Sequence, residues 1–280
     1  MRQTKEANQN KDFIRSGITA DLHMHSRFSD GAMTPTELIA LMKSEGKNVV
    51  ALTDHDSTAG VAEAVAAGVK AGIKVVSGIE ISSYSITEIH ILGYNFDVLN
   101  SVFCEKLQKI KDMRRVRNQK ILEKLKALGI EIEGEFGEDK GRFHIAQAMI
   151  DAGFSTSVPD AFDKYLGHGG AAYVTSERLR PFEAVKLIAD LGGVAVLAHP
   201  RYFVAEGTLN SIIEGLIPYG LKGIEAYYAK NLAGETAILA SAAKARGLLL
   251  TGGSDLHNID QQYSPFSFPV TDKLARALGL

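Results

Sequence analysis

The chain has one cysteine, Cys104, among 280 residues. No intrachain disulfide can form, and a zinc finger built on thiolates is excluded. Such cysteine usage suits a reducing cytoplasm, which is the expected location. Net charge is also nearly absent, at −2 from 31 basic and 33 acidic side chains. That balance supplies no overall field for a long nucleic-acid groove, but it leaves room for a small phosphorylated ligand. No apolar run approaches a membrane span, and the N-terminus lacks the apolar centre of a signal peptide. Neither a membrane nor a protein partner is implied. Residues 1–16 are polar and rich in Gln, Asn and Lys, and read as a disordered leader. Hydrophobic residues make up 45% of the chain, enough for one large α/β domain or one domain with an insertion.

What the chain does have is histidine at recurrent places. In Asp21-Leu22-His23-Met24-His25 the two histidines are one residue apart, so on a strand they point to the same face. Residues Ile18–Leu22 read as a short buried strand, and Ser26–Gly31 as a loop with an Asp-Gly turn. Thr34 is placed to cap a helix, with Pro35 at its first position, Glu37 completing a capping box and Gly46 stopping it. A second strand, 48–53, ends in Asp54-His55-Asp56; a third, 73–78, ends in Ile79-Glu80; a fourth, 88–94, carries His90 in its middle. After a break the rhythm resumes. A fifth strand ends in His199-Pro200, a sixth contains Glu225, and a seventh ends in Ser254-Asp255-Leu256-His257. Strands without polar alternation, separated by helices, predict a parallel sheet covered on both faces. Ligand-type residues at nearly every strand end fit a closed α/β barrel better than an open sheet, where they would gather at one switch point.

Residues 98–174 break that rhythm. They read as a helical insertion able to cap a site, leaving 17–97 and 175–280 for the barrel. A long helix over 105–128 has its apolar stripe at Leu107, Ile110, Ile121, Leu125 and Leu128, with Arg114 and Arg117 in the gap. Arg117 is a candidate to reach into a cavity. A second helical piece carries Gly141-Arg142-Phe143-His144-Ile145-Ala146.

Six of the eight histidines (His23, His25, His55, His90, His199 and His257) lie at or beside strand ends, accompanied by Asp30, Glu80 and Asp255. Nine imidazole and carboxylate groups exceed the three or four protein ligands of a single ion. They suit two or three divalent ions sharing a bridging carboxylate, an arrangement that serves phosphoester hydrolysis. Nitrogen and oxygen donors without thiolate suit Mn²⁺, Fe²⁺ or Zn²⁺.

The ordered set His23-x-His25, Ser29-Asp30-Gly31, Thr53-Asp54-His55-Asp56, Gly78-Ile79-Glu80, Ala198-His199-Pro200 and Gly253-Ser254-Asp255-Leu256-His257 resembles the motifs of the PHP (polymerase and histidinol phosphatase) family. The resemblance implies a distorted (β/α)7 barrel with a trinuclear metal site. It assigns His23, His25, Glu80 and Asp255 to the first ion, Glu80, His90 and His199 to the second, and Asp30, His55 and His257 to the third. Many members of the family have histidine where Asp30 stands. The insertion is similar to that of a subgroup acting on 3′,5′-nucleoside bisphosphates, nucleoside monophosphates or 5′ ends of short RNA.

The expected activity is therefore hydrolysis of a small nucleotide phosphate ester by a hydroxide bridging the ions, with His23, His25, Glu80, His199 and Asp255 as catalytic core. Arg117, Arg142, His144 and Arg201 are the candidate phosphate contacts. Asp54 is expected to orient His55, Asp56 and Ser57 to start the following helix, Glu225 to point inward and support a ligand, and His168 to lie in a loop. The alternatives are a histidinol-phosphate or protein-tyrosine phosphatase on the same metals, and a non-catalytic metal-binding module. Tyr263, Phe266 and Phe268 are expected to pack on the barrel or on a partner.

Overall fold

The computed structural model describes residues 14–85, 87–138, 140–175, 178–259 and 264–280. Residues 1–13 of the expected leader, and Tyr263, lie outside them. Ile14 and Arg15 are tied down: Ile14 bridges to Thr271, and the Arg15 amide donates to the Val270 carbonyl at 2.8 Å.

Seven strands form one sheet in sequence order: β1 Ala20–Asp21, β2 Val49–Leu52, β3 Lys74–Tyr84, β4 Glu88–Tyr94, β5 Val194–Leu197, β6 Leu221–Tyr228 and β7 Leu249–Gly253. The sheet curls until β1 meets β7. The Leu22 amide donates to the Gly252 carbonyl, the Asp255 amide to that of His23, and the His25 amide to that of Leu256. Gly253 permits this approach, because a Cβ there would lie 2.2 Å from the Cβ of His23. The result is a mixed α/β sheet nearly closed into a barrel.

The expectation of an all-parallel sheet fails at β4, which runs antiparallel to both β3 and β5. The physical reason is the connection. Ser85 donates to the Thr87 carbonyl in a tight hairpin, and only antiparallel neighbours can be joined so shortly. A parallel pair needs a crossover helix, and none intervenes.

Helices cover the sheet. Among them α1 (Pro35–Ser44) and α2 (Val61–Ala71) pack Leu38, Ile39 and Ala64 on Val50 and Leu52, and the Thr34–Glu37 capping box forms as expected. Helices α6 (Pro181–Asp190), α7 (Arg201–Ala205), α8 (Leu209–Leu216) and α9 (Glu235–Lys244) pack on Ile79, Ile91, Ala195 and Ile224. Alternate residues of the same strands, including Val49, Ala51, Leu92, Tyr94 and Val196, form a separate cluster with Phe268 and with α10 (Asp272–Ala277). Both faces of the strands are thus buried, which is why no polar alternation marks them. Phe266 joins this cluster, so the C-terminal aromatics that are described pack on the barrel.

Between β4 and β5 lie α3 (Ser101–Ala127), α4 (Arg142–Asp151) and the short α5 (Val158–Ala161). Helix α3 belongs to two cores. Phe103, Leu107 and Ile110 pack with Val185 and Ile188 of the barrel, whereas Ile121 and Leu125 pack with Ile145 and Met149 of α4. Arg114 and Arg117 fall between the two, where α3 passes the mouth of the barrel.

Candidate metal centre

Strand alternation brings His23 and His25 together as expected, with Nε2 atoms 3.1 Å apart. Glu80 projects between them from β3; its Oε2 lies 3.2 Å from both. Asp255 Oδ1 completes this group at 3.5 and 3.2 Å. The other oxygen of Glu80, Oε1, lies 3.0 Å from His90 Nδ1 and 2.9 Å from His199 Nε2. His90 reaches the group because β4 is reversed: its first residues sit at the rim where the parallel strands end. A third group gathers Asp30, His55 and His257, with Asp30 Oδ1 3.3 Å from His257 Nε2 and Asp30 Oδ2 3.8 Å from His55 Nε2. The structure draws His55 toward the second group as well, with Nδ1 3.2 Å from Glu80 Oε2.

These spacings fit metal ions. Around a tetrahedral ion with bonds of about 2.0–2.1 Å, ligand atoms are about 3.3–3.4 Å apart. Among the described residues, buried His25 Nδ1, Asp30 Oδ1 and Glu80 Oε2 make no well-directed hydrogen bond, although imidazole nitrogens lie 3.2–3.3 Å from both carboxylate atoms, and polar atoms are seldom buried so without a ligand. Several of the rings are also oriented from behind. His23 Nδ1 donates to Glu225 Oε1 at 2.9 Å, His257 Nδ1 to the Asp255 carbonyl at 2.9 Å, and His90 Nε2 to Glu88 at 3.2 Å. Each bond fixes one nitrogen as a donor and turns the other lone pair to the centre. The cluster of imidazoles and carboxylates has the donor set and the spacing to hold divalent metal ions.

Charge in the cluster is strongly coupled. Burial opposes protonation of His25, but Asp255 and Glu80 outweigh it and push its pKa up to about 10. Burial likewise opposes protonation of His90, and Glu80 and Glu88 raise it to about 10. At His55 burial prevails and lowers the pKa to about 4. Burial would raise Glu80 and Asp255, yet the surrounding histidines hold both well below the carboxylate range.

Two ligand positions, His199 at φ 26° and Asp255 at φ 54°, adopt the left-handed backbone region that non-glycine residues avoid. Glu225 spans this strain: its Oε2 accepts from the His199 amide at 2.7 Å while Oε1 holds His23. Glu225→Ala is expected to lower kcat about 10- to 100-fold with the barrel intact, as for other residues that orient metal ligands. Circular dichroism, metal content and kcat on the same preparation check this.

A cleft of about 220 Å³ opens beside the ligand groups. Asp30, His55 and His90 line it, together with Arg114 and Arg117 of α3, Arg142 and His144 of α4, and Arg178. Asp56 and Glu88 anchor part of this basic lining, through ion pairs with Arg114 and Arg178 respectively. Arg117 bonds Asn118 Oδ1 at 2.9 Å, and Arg142 bonds the Val174 carbonyl at 2.7 Å and stacks on Tyr173. Burial and the charges of Arg142, Arg178 and Arg114 lower the Arg117 pKa to about 9.

The family model described as the PHP domain matches residues 21–166. The chain belongs to the PHP family. A 5′-3′ exoribonuclease of Haemophilus influenzae is 35% identical over 85% of this chain and 89% of its own length. A 3′,5′-nucleoside bisphosphate phosphatase of Chromobacterium violaceum is 35% identical over 85% and 86%. Among solved structures, a protein of Bifidobacterium adolescentis described as a metal-dependent phosphoesterase superimposes with a TM-score of 0.78. It is 27% identical over 95% of this chain and 96% of that one.

Several expectations about this PHP site need correction. Arg201 does not reach the cleft: its guanidinium bonds the Lys230 carbonyl and faces Glu235 Oε2 at 3.3 Å, bracing the loop after β6. Asp54 does not orient His55; it accepts from the Ser26 amide and from the hydroxyls of Ser26 and Ser29, and so shapes the first loop. Asp56 and Ser57 do not start a helix. Asp56 lies at φ 50°, accepts from the Ser82 amide at 2.9 Å and pairs with Arg114, while α2 begins at Val61. His168 is an exposed loop residue beside Tyr173. His144 lines the cleft, and its Nδ1 also accepts from the Gly141 amide.

Sequence reading missed Arg178, Glu88, and the pair Tyr228 and Lys230. Tyr228 donates to Asp255 Oδ2 at 3.0 Å, and Lys230 Nζ lies 3.2 Å from the same atom. No local pattern marks Arg178, Tyr228 or Lys230, whose partners lie 25 to 90 residues away, whereas Glu88 stands two residues before His90 on β4, a spacing that could have found it. Among the described residues, no helix is long and apolar enough to cross a membrane.

Proposed function

We propose that this protein hydrolyses phosphate esters of small nucleotides, a 3′,5′-nucleoside bisphosphate or the 5′ end of a short RNA, at two or three divalent ions. The observation that carries the reading is the arginine-lined cleft opening onto the ligand groups. The chain is a hydrolase of phosphoric esters. In this reading His23, His25, Glu80 and Asp255 hold one ion, Glu80, His90 and His199 a second, and Asp30, His55 and His257 a third. The nitrogen and oxygen donors suit Mn²⁺, Fe²⁺ or Zn²⁺. Bound there, such ions neutralise phosphate charge and activate water.

The chain's own residues supply the rest. With ions bound, Glu225 and Glu88 would keep the ring protons on His23 Nδ1 and His90 Nε2, leaving the other nitrogen of each ring free to bind. Tyr228 and Lys230 orient Asp255 from outside. Arg117 is a buried and Arg142 a half-buried guanidinium group, both bound to neutral partners, and neither is paired with a carboxylate among the described residues. A phosphate at a second position on the substrate supplies their missing counter-charge, which distinguishes a nucleotide carrying two phosphates, or a chain, from a simple monoester.

Phosphate release with Mn²⁺ from a panel tests the reading. The panel contains a 3′,5′-nucleoside bisphosphate, a nucleoside 5′-monophosphate, a 5′-phosphorylated RNA pentamer, histidinol phosphate and a phosphotyrosine peptide. Preference for the nucleotides is expected; preference for either of the last two would overturn the substrate class. Arg117→Ala is expected to raise KM for the bisphosphate about 10- to 100-fold, the worth of a charged hydrogen bond, with metal content unchanged. An unchanged KM would remove Arg117 from the substrate site.

A further inference from the structure

The cleft contains more than charge. Phe143, in the first turn of α4, is 44% exposed, and it lines the same cleft as Asp30, His55 and the arginines. Ile110 and Phe162 line the cleft as well. A cleft that bound phosphate alone would need only its cations. An exposed aromatic ring among them is a recognition surface for something flat and apolar.

The ring is held in place. Helix α4 starts at Arg142, and the Gly141 amide donates to His144 Nδ1 at 3.1 Å, closing the first turn around Phe143. The His144 ring stands at 84° to Phe143 with centroids 5.9 Å apart, an edge contact that does not stack on it. The neighbouring aromatic, Tyr173, is already covered by the Arg142 guanidinium at 5.1 Å. Phe143 is therefore an exposed ring at the cleft with no ring stacked on it among the described residues, and Arg142, its chain neighbour, offers a cation.

We propose that Phe143 is the stacking platform for the nucleobase, holding the base while Arg117 and Arg142 hold a phosphate and the ligand groups hold the scissile one. This rests on the nucleotide reading above and deepens it: the base is recognised by its π-face, without selection among the four bases, since every base presents one.

The test compares a 3′,5′-nucleoside bisphosphate with its abasic counterpart, 1,4-anhydroribitol 3,5-bisphosphate. Wild type is expected to use the nucleotide with the lower KM. Phe143→Ala is expected to raise KM for the nucleotide about 5- to 100-fold, the equivalent of one base–aromatic stack, and to leave the abasic compound unchanged. Phe143→Leu, which keeps apolar volume without the π-face, should behave like alanine, and Phe143→Trp should restore the wild-type KM. Equal effects on both substrates, or an unchanged KM for the nucleotide, would overturn the role of Phe143 and leave the nucleotide reading standing. Wild-type hydrolysis of neither compound nor of the 5′-phosphorylated RNA pentamer, or no advantage for the nucleotide, would overturn both.

Discussion

Glu80→Gln is expected to lower kcat by at least about a thousandfold and to reduce bound metal, with the barrel still folded. Glu80 is the hub of the centre. Its Oε2 faces His23, His25 and His55, and its Oε1 faces His90 and His199, all within 2.9–3.2 Å. The amide keeps the volume in a site where the side chain is fully buried, so packing is preserved. What it removes is the one carboxylate placed to be shared between groups. Charge stabilisation by ions is worth several kcal/mol in the transition state, which sets the thousandfold figure. Phosphate release, metal analysis and circular dichroism on one preparation decide it. Activity within tenfold of wild type would show that Glu80 does not join the ions.

Removing the metal by chelation is expected to abolish activity and to make stability depend on pH in a way the metal-loaded protein does not. In the free site, His25 and His90 have pKa values near 10, far above the ordinary 6.5, because carboxylates surround them. A histidine raised in the folded state stabilises fully below its unfolded value and loses that contribution as pH rises through its folded value. Chelated protein should therefore lose stability from about pH 6.5 to about pH 10. His55, lowered to about 4, acts in the opposite sense, and its contribution is lost as pH falls from about 6.5 toward 4. Ions replace these protons, so binding at pH 7 should release protons and tighten with rising pH. Thermal unfolding of chelated and reloaded protein across pH 5–10, with proton release followed in weak buffer, measures both. A pH-independent affinity with no proton release would contradict the arrangement.

These two experiments and the arginine, Glu225 and Phe143 variants probe different layers. Glu80 and the ions bear on chemistry, Glu225 on ligand orientation, and Arg117 and Phe143 on which phosphate ester enters. A loss of kcat in the first set and of KM in the last would separate the metal site from the substrate cleft, which share only Asp30, His55 and His90 at their boundary.

Much of the centre is legible in the sequence. Period-two alternation places His23 and His25 on one face, and buried strands leading into Asp54-His55, His199-Pro200 and Ser254-Asp255 mark one rim; Glu80, expected at a strand end, lies instead inside β3, which continues to Tyr84 in its hairpin with β4. The gap in the α3 stripe at Arg114 and Arg117 also points to a cavity. These signals are local, carried by the spacing of residues within one element, and spacing survives in the sequence. The order of elements determined the α/β class and the number of strands for the same reason.

The tertiary structure decided what depends on partners distant in the chain. The hairpin at Ser85–Thr87 reversed β4 and brought His90 to the rim, although the missing crossover helix was a usable sign. Arg201 and Asp54, plausible from their neighbours in sequence, went to Glu235 and to Ser26 and Ser29. Arg178, Lys230 and Asp56 entered the site through pairs with Glu88, Asp255 and Arg114. A charged side chain can reach several partners, and its choice follows the packing of whole elements, which no periodicity along the chain records.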